Sequence, residues 1–345
     1  MKHYTLTIQE IRKETKDAIT LCFKQPGLQK IKYQAGQYIT LIVKINGRKY
    51  ARPYSFSSAP SVDATLEITV KRMPDGIVSN FINNELKVGD VVEVLEPMGD
   101  FTSNRINPIN HVYLWGVGSG ITPLFSLIKE ILHSQSNTVI HLIYGNKNQD
   151  SAIFSKQLSH LKKDYPTAFF LTNFYSQVDF IEQSNTIQKG RISTSFIIQL
   201  LAQHKNVKES VHYICGPKDL KEIIKSTLME LTVPSSSIFS EEFELVIDPI
   251  ELEGVEDSKV SVLFQGRHSE IFVPKGKSVL DVALDNDIDM PYSCQTGNCN
   301  TCMAKLKDGQ LKMLGLTKKR DDLAYDEFLL CCSYPLTKAI SIEVI

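Results

Sequence analysis

No stretch of this 345-residue chain is an apolar run of membrane-spanning length, so a helix through the bilayer is not expected. Neither charge is in excess: 38 basic residues face 39 acidic ones, a formal net of −1. That balance removes bulk electrostatics as a basis for binding nucleic acid or an anionic membrane. The first residues, MKHYTLTIQEIRKETKD, lack the apolar core of a secretory signal, and cytoplasmic residence is the expectation. No internal repeat and no low-complexity tract interrupts the chain. Cysteine is scarce over most of the length: of seven, only Cys22 and Cys215 stand outside the last 52 residues, which hold five. An odd, clustered set in such a chain speaks against a disulfide framework and for metal ligation.

What is present is ordinary globular material, 42% apolar and 22% charged, with length for two or three domains. Residues 1–105 read as β structure, with strands expected over Tyr4–Ile11, Ala18–Lys24, Tyr38–Ile45, Thr65–Arg72 and Val91–Leu95. Turns are expected at Pro26-Gly27, Asn46-Gly47, Asp75-Gly76 and Gly89-Asp90. With one helical patch, Ile77–Leu86, this predicts a small antiparallel β-barrel. The pattern changes near Asn107-Pro108. Over 106–245 strands and helices alternate, including a helix predicted over Pro123–His133 and another over Ser151–Lys163, which implies a doubly wound α/β domain with a parallel sheet. Residues 246–257, VIDPIELEGVED, carry five acidic residues and no basic one and read as a solvated linker. The remainder, 258–345, is a small third domain: a hairpin, a helix over Val279–Asn286, a cysteine loop and a closing strand.

That loop, SCQTGNCNTCMAKL, spaces Cys294, Cys299 and Cys302 as C-x4-C-x2-C, with Cys331 and Cys332 further on. Three thiolates from one tight loop and a distant fourth is the plant-type [2Fe–2S] spacing. The small and polar residues between them allow backbone N–H groups to turn toward the sulfurs. Zinc is the rival, but structural zinc sites use paired C-x2–4-C units or histidines. Here the only histidine beyond the acidic segment is His268, and the second cysteine group is a vicinal pair. A redox sensor built on that pair is a third reading, disfavoured because adjacent cysteines form only strained disulfides.

Residues 259–345 resemble a plant-type ferredoxin domain of the β-grasp fold, from the hairpin through PYSCQTGNCNTC to FLLCCSYPL. In that family the last ligand precedes an aromatic-proline pair, here Tyr334-Pro335, which favours Cys331 as the fourth metal ligand. Counting from Cys302 instead leaves 28 residues before Cys331 and 29 before Cys332, the commoner spacing. Both stay open on the spacing.

The order barrel, α/β domain, ferredoxin resembles the ferredoxin–NADP reductase superfamily. Its single-chain oxygenase reductases are the nearer likeness, and it covers essentially the whole chain. The resemblance implies roles for residues that are bland by themselves. In Arg52-Pro53-Tyr54-Ser55, Arg52 would pair with a cofactor phosphate, Tyr54 stack on the flavin ring and Ser55 lie near its reactive nitrogen. Gly76, Val78 and Ser79 would bring a helix start to a pyrophosphate, which favours FAD over FMN.

The run Gly116-Val117-Gly118-Ser119-Gly120-Ile121-Thr122-Pro123 follows a strand and precedes a helix. Its glycines permit close approach of a dinucleotide, Thr122 can cap the helix, and Pro123 suits its first position. By the resemblance, Cys215-Gly216-Pro217 would set Cys215 beside the nicotinamide, and Glu242, or its neighbour Glu241, would face the flavin site. No acidic residue follows the second α/β strand to bind a ribose hydroxyl. Lys147 and Arg191 could meet a 2′-phosphate, so NADPH is placed slightly ahead of NADH.

The implied activity is a relay: hydride from NAD(P)H to FAD, then single electrons through a [2Fe-2S] cluster to a partner oxygenase of di-iron or Rieske type, or another one-electron protein acceptor. A monomer is expected for the free reductase. The alternative is a flavoprotein that reduces a small molecule directly, with the cysteine domain as a zinc-stapled binding module.

Overall fold

A 13-residue first strand is long enough to serve two neighbours, and it shapes the N-terminal sheet. The computed structural model describes residues 1–25, 27, 30–103, 111–135, 137–178, 184, 186–203 and 207–345. Pro26 of the expected turn and the expected change of pattern at Asn107-Pro108 lie outside them. The described chain forms two units, Met1–Leu41 with Tyr54–Glu241, and Ile42–Pro53 with Glu242–Ile345.

The N-terminal strands are β1 (His3–Thr15), β2 (Ala18–Phe23), β3 (Tyr38–Ile45), β4 (Arg48–Ser55), β5 (Leu66–Lys71) and β6 (Val91–Leu95), with α1 (Ile77–Asn84) between the last two. Their order is β4-β3-β6-β1-β2-β5. The first residues of β1 pair antiparallel with β6 and the rest with β2, with a register shift between Ile8 and Glu10 where the strand changes neighbour. Such shifts bend a strand and increase its twist. The sheet curls into a half-barrel, and an antiparallel bridge from Phe56 to Ile68 ties the end of β4 to β5. Its interior is apolar, with Leu6, Ile8, Leu21, Phe23, Phe56, Ile68 and Val70 buried. Pro53 within RKYARPYS reads most simply as part of an edge strand, and β4 does occupy an end of the sheet order, where proline costs least.

The α/β part runs β7 (His111–Val117), α2 (Ile121–Ser134), β8 (Val139–Asn146), α3 (Ser155–Asp164), β9 (Phe169–Tyr175), β10 (Ile187–Lys189), α4 (Thr194–Leu201), β11 (Val211–Cys215), α5 (Lys218–Glu230) and β12 (Ile238–Glu241). All neighbours are parallel, in the order β10-β9-β8-β7-β11-β12. One face buries Val112 and Leu114 against Leu124 and Ile128 of α2. The other buries Tyr113 and Trp115 with Ile197 of α4 and Ile224 of α5. The helix predicted from Ser151 starts instead at Ser155. Asn148 and Ser151 close a separate capped 3-10 turn, and Phe154 at φ 62° breaks the path between them.

The second unit contains β13 (Ser258–Phe264), β14 (Arg267–Val273), α6 (Val279–Asp285), β15 (Met303–Asp308), β16 (Leu311–Met313), β17 (Glu327–Leu329), β18 (Ser333–Pro335) and β19 (Ala339–Val344). Five strands make a mixed sheet, β14-β13-β19-β15-β17, with β13 and β19 parallel, while β16 and β18 form a separate ribbon. Ser278 caps α6 by accepting the Asp281 N–H at 3.1 Å. In the acidic stretch, Asp248 and Glu251 cap a short turn. Its apolar residues Ile247, Leu252 and Val255 pack with Leu314 and Tyr334. Solvated carboxylates and an apolar footing therefore alternate along it.

Ile42–Pro53 clusters with this unit through specific bonds. Ala51 N–H donates to the Tyr292 hydroxyl at 2.9 Å, Arg48 pairs with Asp285 at 3.0 Å, and Ala51 itself joins the buried core. A buried donor left without its partner costs about 1–3 kcal/mol. Tyr292→Phe should therefore lower unfolding free energy by that amount, measured by urea denaturation of the full chain, whereas loss of the exposed Arg48–Asp285 pair in Arg48→Gln should cost about 1 kcal/mol or less.

Candidate functional site

Along β4 side chains alternate, so Arg52 and Tyr54 share one face and Ser55 takes the other. Ser55 is buried and the other two are partly so. Arg52 Nη1 donates to the Ala51 carbonyl at 2.8 Å. Gly76 stands immediately before α1, whose first turn carries no acidic residue. A Cβ there would lie 2.5 Å from Ser79 Oγ and 2.9 Å from the Met73 side chain, so the loop closes only over glycine. Val78 and Ser79 are buried. The Ser79 hydroxyl accepts the Met73 N–H at 3.0 Å and donates to the Gly76 carbonyl at 3.2 Å. That hydroxyl braces the loop, and the backbone N–H groups of the first turn are what the helix start presents to an anion. Within the first unit the residues present fit a flavin dinucleotide: the aromatic face of Tyr54 and a helix start without competing carboxylates.

In the α/β part, Gly118–Gly120 form a 3-10 turn that runs straight into α2. Gly120 has helical backbone angles and no side-chain cap, so Thr122 and Pro123 fall inside the helix rather than at its cap and first position. Thr122 instead donates to the Ser119 carbonyl at 2.7 Å. A Cβ on Gly120 would sit 2.1 Å from the Cys215 carbonyl oxygen, a contact no side chain survives. Gly216 lies against Val117 and Leu220, and Cys215 pairs in register with Gly116 on one side and Glu241 on the other. The two motifs predicted to handle nicotinamide thus meet at the carboxyl ends of β7 and β11. Strands to one side of β7 follow it through α2 and those to the other return through α4, which makes this the switch point of the sheet, where ligands of such folds bind. Pro217 begins the step into α5. Cys215 itself is 1% exposed.

Lys147 follows β8 directly and Arg191 lies two residues past β10, and both are exposed at the same carboxyl edge. Glu242, one residue past β12, is partly buried.

Three residues here were not singled out from sequence. The Tyr144 hydroxyl, fully buried, donates to the Gly118 carbonyl at 3.1 Å and accepts the Ile153 N–H at 3.1 Å, locking the turn. Lys71, at the end of β5, brings its Nζ to the open side of Gly118, 3.4 Å from where a Cβ would stand. Arg72 Nε is buried without a hydrogen-bond partner among the described residues. The legible signal for the last two was the pair of cations leading into the Gly76 loop.

All seven cysteines are free thiols. Burial and then the Glu67 carboxylate push the Cys22 thiol up to about 12. Within the second unit the cysteines converge. Cys294 interacts with Cys299 and Cys331, and Cys302 with Cys331. Thiol protons shared with Cys299 and Cys331 hold Cys294 below the ordinary range, while the bond to Cys294 pushes Cys299 up. Cys331, donating toward both Cys294 and Cys302, is pushed up further. The Thr296 N–H points at Cys294 Sγ at 3.4 Å. Positive φ at Gln295 (58°) and Gly297 (73°) curls the loop around its sulfurs. Cys331 sits on a short turn held by Leu330 N–H to the Cys302 carbonyl at 3.0 Å. Cys332, fully buried, turns its Sγ to the Leu329 carbonyl at 3.3 Å. Among the described residues no three such side chains are gathered as for a single ion; the sulfurs form a string of contacts running through Cys331. As a donor set, three buried thiols and the half-buried Cys299, with one backbone N–H already aimed at sulfur, fit an iron–sulfur cluster.

Family models match in chain order: an oxidoreductase FAD-binding domain over 5–103, an oxidoreductase NAD-binding domain over 114–226 and a 2Fe-2S iron-sulfur cluster binding domain over 262–336. The chain is 30% identical to the ferredoxin reductase component of 3-ketosteroid-9-alpha-monooxygenase from Mycolicibacterium smegmatis, over 98% of this chain and 96% of that one. It is 29% identical to a component of the 1,2-phenylacetyl-CoA epoxidase of Escherichia coli, over 99% and 97%. Among solved structures, phthalate dioxygenase reductase superposes with a TM-score of 0.69 at 20% identity, covering 99% of this chain and 98% of that one, which shows the shared fold.

The placement of the two vicinal thiols yields a direct expectation. Cys331→Ser should purify with most of its iron and acid-labile sulfide lost, and Cys332→Ser should keep both; iron and sulfide assays on the two proteins check it.

Proposed function

The chain belongs to the ferredoxin–NADP reductase superfamily, in the single-chain form that carries a C-terminal 2Fe-2S domain and serves oxygenases, and from that membership we infer how its own residues divide the work. It is an oxidoreductase that draws electrons from NAD(P)H and delivers them through FAD and a [2Fe-2S] centre. When bound, these groups supply the conversion of a two-electron hydride into single-electron steps. The observation that carries the relay over direct small-molecule reduction is the string of sulfur contacts through Cys331. It lies within the segment matched by the 2Fe-2S family model.

Arg52, with its planar fork, holds a phosphate of the flavin, Tyr54 offers its ring and Ser55 its hydroxyl. Gly76 opens the approach to α1, and the N–H groups of Ile77, Val78 and Ser79 bind the pyrophosphate, which supports FAD over FMN. Gly116, Gly118 and Gly120 let the dinucleotide approach backbone, with Thr122 and Pro123 stiffening the first turn of α2. Lys71 adds an ammonium over Gly118. Cys215, framed by Gly216 and Pro217, lines the position of hydride transfer, and Glu242 closes that side. Lys147 and Arg191 suit a 2′-phosphate, so the preferred donor is NADPH. Cys294, Cys299, Cys302 and Cys331 ligate the cluster.

The acceptor is a separate oxygenase component, in keeping with the monooxygenase, epoxidase and dioxygenase systems that the relatives' names describe. No helix of the described residues is long and apolar enough to cross a membrane, and we place the reductase in the cytoplasm as a monomer. The domain limits are 1–105, 106–245 and 258–345, joined by 246–257.

Two expectations test this. In stopped flow, Cys215→Ala should slow flavin reduction by NAD(P)H with the cluster absorption intact. Cys299→Ser should keep fast flavin reduction and lose reduction of one-electron protein acceptors; slow hydride transfer in Cys299→Ser would contradict the order of the relay. In steady state, Lys147→Ala with Arg191→Ala should raise KM for NADPH roughly tenfold or more while leaving NADH little changed, since a hydrogen bond to a charged group is worth about 1.5–3 kcal/mol.

A further inference from the structure

The stretch between β16 and β17, LGLTKKRDDLAYD, carries three consecutive cations, and only one of them turns inward. Lys319 is 86% exposed and pairs with Asp321 in solvent, and Lys318 is exposed as well. The Arg320 side chain is 11% exposed. Its Nη1 donates to the Gly297 carbonyl and its Nη2 to Asn300 Oδ1, the residues that bracket Cys299 in the cysteine loop. The remaining edge of the guanidinium, Nε and Nη2, meets the two oxygens of Asp322 at 2.8 Å each. Leu316, from the same stretch, lies where a side chain on Gly297 would stand. The segment is therefore fastened onto the cysteine loop, and its fastener is a cation shielded from water.

We propose that Arg320 is a positioning residue for the iron–sulfur centre, clasping the Gly297–Asn300 arc and raising the reduction potential of the cluster. This rests on the reading that the four cysteines hold a [2Fe-2S] cluster. A cluster on four thiolates gains one negative charge on reduction, and a nearby cation of low exposure stabilises the reduced form more than the oxidised one. The charge is held at the loop itself, since the guanidinium is bonded to the residues on either side of Cys299. Asp322 opposes it, but that carboxylate is 54% exposed and screened by water, whereas the guanidinium is not. Two side chains of opposite sign therefore act on one potential in opposite directions, which a purely structural brace would not do.

The experiment is a dye-mediated redox titration of the purified full-length reductase, followed by cluster absorption and by the low-temperature electron paramagnetic resonance signal of the reduced centre. Arg320→Gln should lower the potential, shifting the one-electron reduction equilibrium about tenfold, ~59 mV. Asp322→Asn should raise it. Arg320→Lys, keeping the charge but losing the fork, should fall between wild type and Arg320→Gln and release iron to a chelator faster than wild type. An unchanged potential in Arg320→Gln, or a shift of Asp322→Asn in the same direction as Arg320→Gln, overturns the proposal. Should Arg320→Gln not retain its cluster, Asp322→Asn decides alone: a rise supports the role, and no change or a fall removes it. Wild-type protein with no [2Fe-2S] signal would instead sink the cluster reading itself, and the proposal with it.

Discussion

Buried thiols that must all ionise cannot share a small volume unless positive charge joins them. That constraint organises the second unit. The Cys294–Cys302 arc is irregular because three sulfurs must point inward from nine residues, and its curl depends on left-handed backbone at Gln295 and Gly297. The fourth sulfur, on Cys331, arrives from a turn pinned to the Cys302 carbonyl, so the far end of the chain is tied to the loop by backbone rather than by the sulfurs alone. Even the covering segment contributes to the charge balance, with one guanidinium turned in and its neighbouring lysines turned out.

A different limit governs the nucleotide end, where backbone must approach backbone. Gly120 rests on the Cys215 carbonyl so closely that no side chain fits, and Tyr144 holds the Gly118 carbonyl from below. These contacts bring the G-x-G-x-G turn and the C-G-P turn to one switch point, although about a hundred residues of chain separate them. The same economy appears at Gly76, where Ser79 braces the loop and leaves the helix start to face an anion through its backbone.

The three-domain order was legible because each part has its own period: alternation in the barrel, βαβ rhythm in the α/β part and ligand spacing in the ferredoxin. Well-patterned elements such as β3 and β6 match their expected limits. Short strands were not legible. β10, β16, β17 and β18 have three residues each, too few to display a period, and exist because distant neighbours pair with them. β4 was legible at its Pro53 end only as an edge strand, and it stands at the end of its sheet. Helix starts also shifted: α2 needs no capping side chain because the glycine turn feeds into it already coiled.

By itself the sequence determined the chemistry available: which residue types recur at ligand, phosphate-turn and flavin-motif spacing, and in what order along the chain. Local spacing is sufficient for that, since three cysteines of one loop or three glycines of one turn act over a few ångströms of contiguous backbone. Spacing alone leaves both Cys331 and Cys332 open, and only the Tyr334-Pro335 anchor of the resemblance favours Cys331. In three dimensions the adjacent side chains differ in partners: Cys331 interacts with Cys294, Cys302 and Cys332, and the Cys332 sulfur turns to the Leu329 carbonyl. For the same reason Lys71, Tyr144 and Arg320 became visible only in three dimensions, where each reaches a motif distant in sequence.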